Sequence, residues 1–181
     1  MSQRSSQALP RPGIGDYDPA AAGYVALAPD ITDPLSQLTS QRDAVPRHLS
    51  AVTEASASHR YAPGKWSVRE VLGHICDAER IFAYRLLRIA TGDETPLPGF
   101  DENSYVPAGA FDGRALADLI EEWTATRDAT IALVRGLPAE AWMRRGVANG
   151  RDVTASALAY IILGHVEHHL TILAERYGVR P

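Results

Sequence analysis

Ser67-Val68-Arg69-Glu70-Val71-Leu72-Gly73-His74-Ile75 carries the clearest element boundary in the chain. A serine followed three residues later by a glutamate is the pattern of a capping box, in which each side chain accepts a hydrogen bond from the other residue's backbone amide. Val71, Leu72 and Ile75 follow at helical spacing, so a helix is expected from Ser67 to about Thr91, where Gly92 ends it. Downstream, Leu116, Leu119, Ile120, Trp123, Ile131 and Val134 mark a helix from about Gly113 to Arg135. Leu158, Ile162, Val166, Leu170 and Leu173 mark another, opening near Asp152 or Thr154 and closing at Tyr177 before Gly178. Upstream, Leu35, Leu38, Val45, Leu49 and Val52 mark a helix from about Asp33 into the fifties, which Pro46 should kink or break.

Four amphipathic helices with almost no strand signal imply an all-α protein, a four-helix bundle over residues 30–181. Residues 1–29 are rich in Ser, Pro, Gly and Ala and read as an irregular lead-in, mobile or wrapped on the surface. The stretches 59–65, 96–103 and 138–151 read as connections.

The 181 residues suit one domain, and 45% hydrophobic with 22% charged residues is ordinary for a folded chain. Net charge is −4 and no Lys/Arg tract is present, so nucleic acid is not an expected partner. No run approaches the ~18 consecutive apolar residues of a membrane span, so a membrane is not expected either. The opening stretch, Met1 to Pro12, lacks the apolar core of a secretory signal, which points to the cytoplasm. A lone cysteine, Cys76, excludes an internal disulfide framework and a cysteine-rich zinc site.

The histidines are His48, His59, His74, His165, His168 and His169. Counted from Thr154 at 100° per residue, the apolar face of the last helix centres near roughly 80°. His165 falls at about 20° and His169 at about 60°, both on that face, whereas His168 falls at about 320°, outside it. A single inward histidine is usually a packed core residue, but a pair at i and i+4 brings two imidazoles within reach of one metal ion. The zincin pattern is not met, because Glu167 points away from the pair. His74 lies on the flank of its helix's apolar face, near 340° counted from about Ser67, where it can lean into a groove between helices.

The stretch Lys65-Trp66-Ser67-Val68-Arg69-Glu70-Val71-Leu72-Gly73-His74, continued by Asp77-Ala78-Glu79-Arg80-Ile81-Phe82-Ala83-Tyr84-Arg85, resembles the second-helix signature of the DinB/YfiT-like superfamily. Gly164-His165-Val166-Glu167-His168-His169 resembles its last-helix signature, and Leu97-Pro98-Gly99-Phe100-Asp101 its middle loop. The resemblance covers about Tyr24 to Gly178 and implies an up-down-down-up bundle, often a homodimer. It also implies a metal site built from one second-helix histidine and a His-x-x-x-His pair, here His74, His165 and His169. Members of that superfamily include metal-dependent hydrolases and transferases or isomerases that use a low-molecular-weight thiol.

A three-histidine site keeps one divalent ion with an open position, able to activate water or a thiolate toward a small-molecule substrate. All-nitrogen ligation suits Zn²⁺ or Ni²⁺ best, and Fe²⁺ and Cu²⁺ are compatible with it. The expected function is therefore a metal-dependent hydrolase or a thiol-dependent transferase, with a non-catalytic metal-binding or stress-response protein holding a structural ion as the alternative. Arg85 points near the direction of His74 and is a candidate for binding an anionic substrate, or a surface residue of the flank. Asp101 and Glu102 are expected in a loop, either near the metal or solvated. Cys76 faces away from His74 and reads as packing. Glu79 falls in the middle of an apolar face, as does Arg127 on the third helix, so the two are expected to pair across the interface. The rival reading makes Glu79 the general base of the metal site.

Overall fold

The computed structural model describes residues 8–180, so the first seven residues of the lead-in and the last residue lie outside it. Its helices are α1 (Ala22–Leu27), α2 (Pro34–Leu49), α3 (Val68–Ala90), α4 (Glu102–Gly109), α5 (Leu116–Gly136) and α6 (Ala155–Arg176), with a hairpin of β1 (Arg145–Ala148) and β2 (Arg151–Thr154).

Local chemistry sets most of these boundaries. Both arms of the capping box form at the start of α3, with Glu70 N donating to Ser67 Oγ at 3.1 Å and Ser67 N to Glu70 Oε2 at 2.8 Å. Gly92 follows the helix at φ 83°, a conformation that costs glycine least. Thr154 caps α6 by accepting from Ala157 N at 3.1 Å, and Asp33 caps α2 by accepting from the Leu35 and Ser36 amides. Pro46 neither breaks α2 at once nor lets it reach the fifties. A proline deprives the carbonyl four residues back of its donor, and here that carbonyl, on Arg42, accepts from Trp123 Nε1 at 3.1 Å. The helix ends three residues later, at Leu49. On α5 the first residue has no local side-chain cap, and Glu54 Oε1 accepts from Leu116 N at 3.0 Å instead.

Helix α2 packs on α5 and α6, and α3 packs on the same two, so α2 and α3 lie across the bundle from each other. From Ser67–Asp112 to Glu79–Arg127 both partners advance along the chain, so α3 and α5 run parallel. Trp66–Tyr177 and Phe82–His165 advance in opposite senses, so α3 and α6 are antiparallel. Helix α2 is parallel to α6, since Tyr160 meets Ile31 and Gln41 meets Leu163. Up-down-down-up follows, and the passage from residue 91 to 115 returns the chain to the end where α3 began.

The core divides into two apolar clusters along the bundle axis. The junction falls between Leu38 and Val45 on α2, Cys76 and Ala78 on α3, Trp123 and Ile131 on α5, and Leu163 and Val166 on α6. Gln41, Glu79, Arg127 and His165 sit at or beside that junction, so a polar layer crosses the middle of the molecule.

Three elements depart from the sequence reading. The stretch expected as a loop over 138–151 holds the hairpin, paired Arg145↔Thr154 through Ala148↔Arg151. Its turn is Asn149-Gly150 at φ 54° and 72°, the dipeptide best suited to two successive left-handed residues. Leu97 adds to this hairpin by backbone bonds to Val147 and Asn149. Glu102 is not in a loop but opens α4, which Asp101 caps by accepting from Asn103 N at 3.0 Å. The lead-in contains α1 and is fixed to the bundle: Tyr160 donates to Leu9 O and accepts from Ile31 N, and Arg11 donates to the Val25 and Ala28 carbonyls. By length and hydropathy α6 alone among the described helices could cross a membrane, but 72% of its most apolar window is buried within the bundle.

Candidate metal centre

His165 and His169 share the inner face of α6 one turn apart, and His74 reaches them from α3. Their side chains are buried, at 3%, 6% and 6% exposure respectively. The ring atoms converge: His74 Nε2 lies 3.0 Å from His165 Nε2, and His169 Nε2 lies 3.1 Å from the same atom. Among the described residues these three are the group of metal-capable side chains whose donor atoms all fall within 4.8 Å of one another.

Hydrogen bonding cannot account for this arrangement. An imidazole nitrogen carries either one hydrogen or one lone pair in the ring plane, so His165 Nε2 can serve one of its two close neighbours and not both. A shared proton does not fit either. Burial, with neighbouring His169 and His74 adding to it, holds His165 well below the ordinary histidine range, and burial does the same to His169. Burial also lowers His74, to about 4, against a contrary pull from Glu102. Three neutral imidazoles with nitrogen atoms aimed at one point are the donor set of a divalent cation. His169 Nδ1 is buried without a protein partner.

The surroundings are aromatic. Tyr24 of α1 packs edge-on to His165 and His168, with centroids 5.2 and 5.4 Å away. Phe82 meets His165 at 5.4 Å and Trp66 meets His74 at 4.8 Å. Gly164 makes the approach of α1 possible, since a Cβ there would fall 1.8 Å from the Tyr24 carbonyl oxygen. Two clefts flank the histidines. One, of about 280 Å³, is walled by Phe82, Arg85, Phe100, Leu158, Ile161 and the hairpin and ends at His74 and His165. The other, of about 330 Å³, reaches His74, His168 and His169 past Tyr61, Lys65 and Tyr177. Tyr24, His74 and Glu102 border both.

The other sequence candidates sort clearly. Glu79 is 2% exposed and borders neither cleft. Its Oε2 accepts from Arg127 Nη2 at 3.0 Å, and Oε1 lies 3.0 Å from Arg127 Nε, an ion-pair contact short of hydrogen-bond alignment. Arg127 also donates to Gln41, whose amide donates to Leu163 O and Glu167 Oε1 on α6. The expected α3–α5 pair is therefore present, with both carboxylate oxygens facing Arg127 inside the core, a placement that favours the structural reading of Glu79 over the general-base one. Arg85 is no surface residue; at 8% exposure it lies in the wall of the first cleft. Cys76 is fully buried, its thiol pushed up to about 12 by burial, as suits packing. Of the two readings of Glu102, near the metal or solvated, the first fits better: it is half-buried at the start of α4 and acts electrostatically on both His74 and Tyr24. The helix that carries it was the part not read from the sequence, and Asp101, an N-cap type, was its signal.

The sequence model described as the DinB superfamily matches residues 37–173. A protein of Oceanobacillus iheyensis, provisionally named a metal-dependent hydrolase, is 27% identical over 77 residues, covering 42% of this chain and 44% of that one. The chain thus matches less than half the length of that relative. YfiT from Bacillus subtilis, described as a probable metal-dependent hydrolase with an unusual four-helix bundle topology, superposes with a TM-score of 0.69 at 17% identity, covering 94% of each chain. A mycothiol-dependent maleylpyruvate isomerase superposes at 0.62 with 20% identity, over 81% of this chain and 60% of that one. At these identities the two structures share the fold.

Proposed function

The chain belongs to the DinB superfamily, and we propose that it is a metal-dependent hydrolase of small molecules whose divalent ion is held by the Nε2 atoms of His74, His165 and His169. The observation that carries this reading is the double contact at His165 Nε2, which no placement of protons satisfies and a shared cation does. Nitrogen ligation favours Zn²⁺ or Ni²⁺. A bound ion supplies Lewis acidity toward a carbonyl or phosphoryl oxygen and lowers the pKa of water.

The chain's own residues supply the rest. No fourth donor joins the cluster among the described residues, which favours a reactive ion over a structural one. Glu102 is the carboxylate facing His74 and can hold a proton at the cleft end. Phe82, Phe100, Leu158 and Ile161 exclude water from the reacting region. A second reading is favoured by the pair of clefts meeting at His74, which leaves room for two reactants: a low-molecular-weight thiol in one and an electrophile in the other. That the relative of Oceanobacillus iheyensis is named for metal-dependent hydrolysis supports the first.

Turnover of activated esters, amides and phosphate esters by Zn²⁺- or Ni²⁺-loaded protein, with and without added thiol, separates the readings. A hydrolase acts without thiol and loses activity in Glu102→Gln with metal retained. Activity that appears only with thiol supports the transferase. Silence in both arms with a tightly held ion supports a metal-binding protein instead.

A further inference from the structure

The described residues bury three arginines, Arg69, Arg85 and Arg127. Arg69 is paired with Glu54 and Arg127 with Glu79. Arg85 has no acid. Its one protein hydrogen bond runs from Nη2 to the Pro98 carbonyl at 2.8 Å, and its guanidinium lies 5.8 Å from the centre of the Phe100 ring. One of five N–H donors is thereby used. None of its nitrogens is among the buried atoms left without a partner, and the residue borders both a neighbouring cleft of about 230 Å³ that contains Pro98 and the cleft beside His74 and His165. Asp18, Glu102 and Asp152 also border this cleft, but none forms an ion pair with Arg85, and an Asp18 oxygen is engaged by the Ala20 amide.

A buried cation without a counter-charge is costly, and removing water from it raises that cost further. The arrangement is relieved when a ligand brings the missing negative charge. We propose that Arg85 makes the cleft beside His74 and His165 a subsite for an oxyanion group, so that the substrate is a small molecule carrying a carboxylate or phosphate on an apolar body. Arg85 holds the anionic head, and Phe82, Phe100, Leu158 and Ile161 cover the body. The bond to be attacked then lies toward His74 and His165, which border the same cleft. The reaction assigned to that end rests on the metal-dependent reading above; the charge of the ligand does not.

The test is titration calorimetry of the purified full-length chain, without added metal and with Zn²⁺, using benzoate, phenyl phosphate and neutral benzamide as probes. A charge-assisted hydrogen bond contributes about 1.5–3 kcal/mol, which is roughly a tenfold or greater preference. Benzoate or phenyl phosphate is expected to bind at least about tenfold more tightly than benzamide, and Arg85→Gln to abolish that preference while Arg85→Lys keeps part of it. Which of the two oxyanions binds better distinguishes carboxylate from phosphate substrates. Should Arg85→Gln fold poorly, nuclear Overhauser contacts between the probe ring and Phe82 or Phe100 in the unaltered protein carry the same expectation. Equal binding of benzoate and benzamide overturns the proposal, as does oxyanion binding that Arg85→Gln leaves unchanged or the absence of those ring contacts. Oxyanion binding that needs Zn²⁺ and ignores Arg85 also overturns it, while leaving the metal reading intact. Arg85-dependent binding by a protein that takes up no metal does the reverse.

Discussion

Two polar clusters are buried five residues apart on α3, at His74 and Glu79, and they are resolved in opposite ways. At Glu79 the charges close on themselves: the carboxylate faces Arg127, Arg127 reaches Gln41, and Gln41 ties off Leu163 and Glu167 on α6. At His74 nothing closes. Three imidazoles are pushed toward neutrality by burial and aimed at one another without a set of hydrogen bonds that serves all three. One cluster borders neither of the two clefts, and the other lies between them. Burial of polar groups alone therefore does not mark a functional site; burial with unfulfilled valence and an open approach does.

The largest effects should come from breaking the closed cluster. Removing one partner of a buried ion pair strands the other, at a cost of about 3–5 kcal/mol. Arg127→Ala and Glu79→Ala should each lower stability by that order in urea unfolding, with metal content unchanged in the folded fraction. The double variant should lose less than the sum, because neither charge is then left alone. Additive losses would show that the two do not act as a pair.

Opening the histidine cluster should do the opposite. His165→Ala removes a buried polar group that the protein itself does not satisfy, so the metal-free protein should lose far less stability than Arg127→Ala, while metal-dependent stabilisation disappears. Thermal melts with and without Zn²⁺ read both quantities. A loss equal to that of Arg127→Ala, with Zn²⁺ still raising the melting point, would erase the distinction between the clusters.

Acidity separates them as well. Each of the three histidines has its folded-state pKa lowered by burial, so its contribution to stability is present above the ordinary value of 6.5 and is lost as pH falls through the folded value, about 4 for His74. The metal-free protein should thus lose stability across that window, because the unfolded chain takes up protons the folded one refuses. His74→Ala should flatten this slope. An unchanged slope in that variant would mean that His74 is not held neutral.

A smaller effect is expected at the cover. Gly164→Ala places a methyl group into the Tyr24 carbonyl, and α1 must shift to relieve it. Overpacking of this kind costs about 1–3 kcal/mol, and limited proteolysis should cut the segment before Pro34 faster. Unchanged cleavage would show that α1 is not seated on α6 through that glycine.

The sequence revealed the bundle because its signals were local. The Ser67–Glu70 box, the Gly92 and Gly178 stops and the apolar stripes each act within a few residues and need no partner from afar. The inward pair His165 and His169 was legible for the same reason, being fixed by the α6 period. His74 was visible from the residues as a flank histidine; its contact with His165 depends on how α3 and α6 cross. The hairpin was signalled by Asn149-Gly150 but hidden behind a four-helix pattern. Helix α1 had no sequence signature, since it is held by Tyr160, Arg11 and the absence of a side chain at Gly164. The direction of Arg85 was legible from the α3 period, whereas the cleft it borders with Glu102 depends on how α4 and the hairpin fold back over α3, a placement no period encodes.

Metal content tests the central claim most directly. After dialysis against Zn²⁺ and removal of free metal, elemental analysis should give about one ion per chain for the unaltered protein and for His168→Ala, and close to none for His165→Ala and His169→Ala, with His74→Ala strongly reduced. Full occupancy in His165→Ala or His169→Ala, or loss of the ion in His168→Ala alone, would contradict the assignment of His74, His165 and His169 as the metal-holding set.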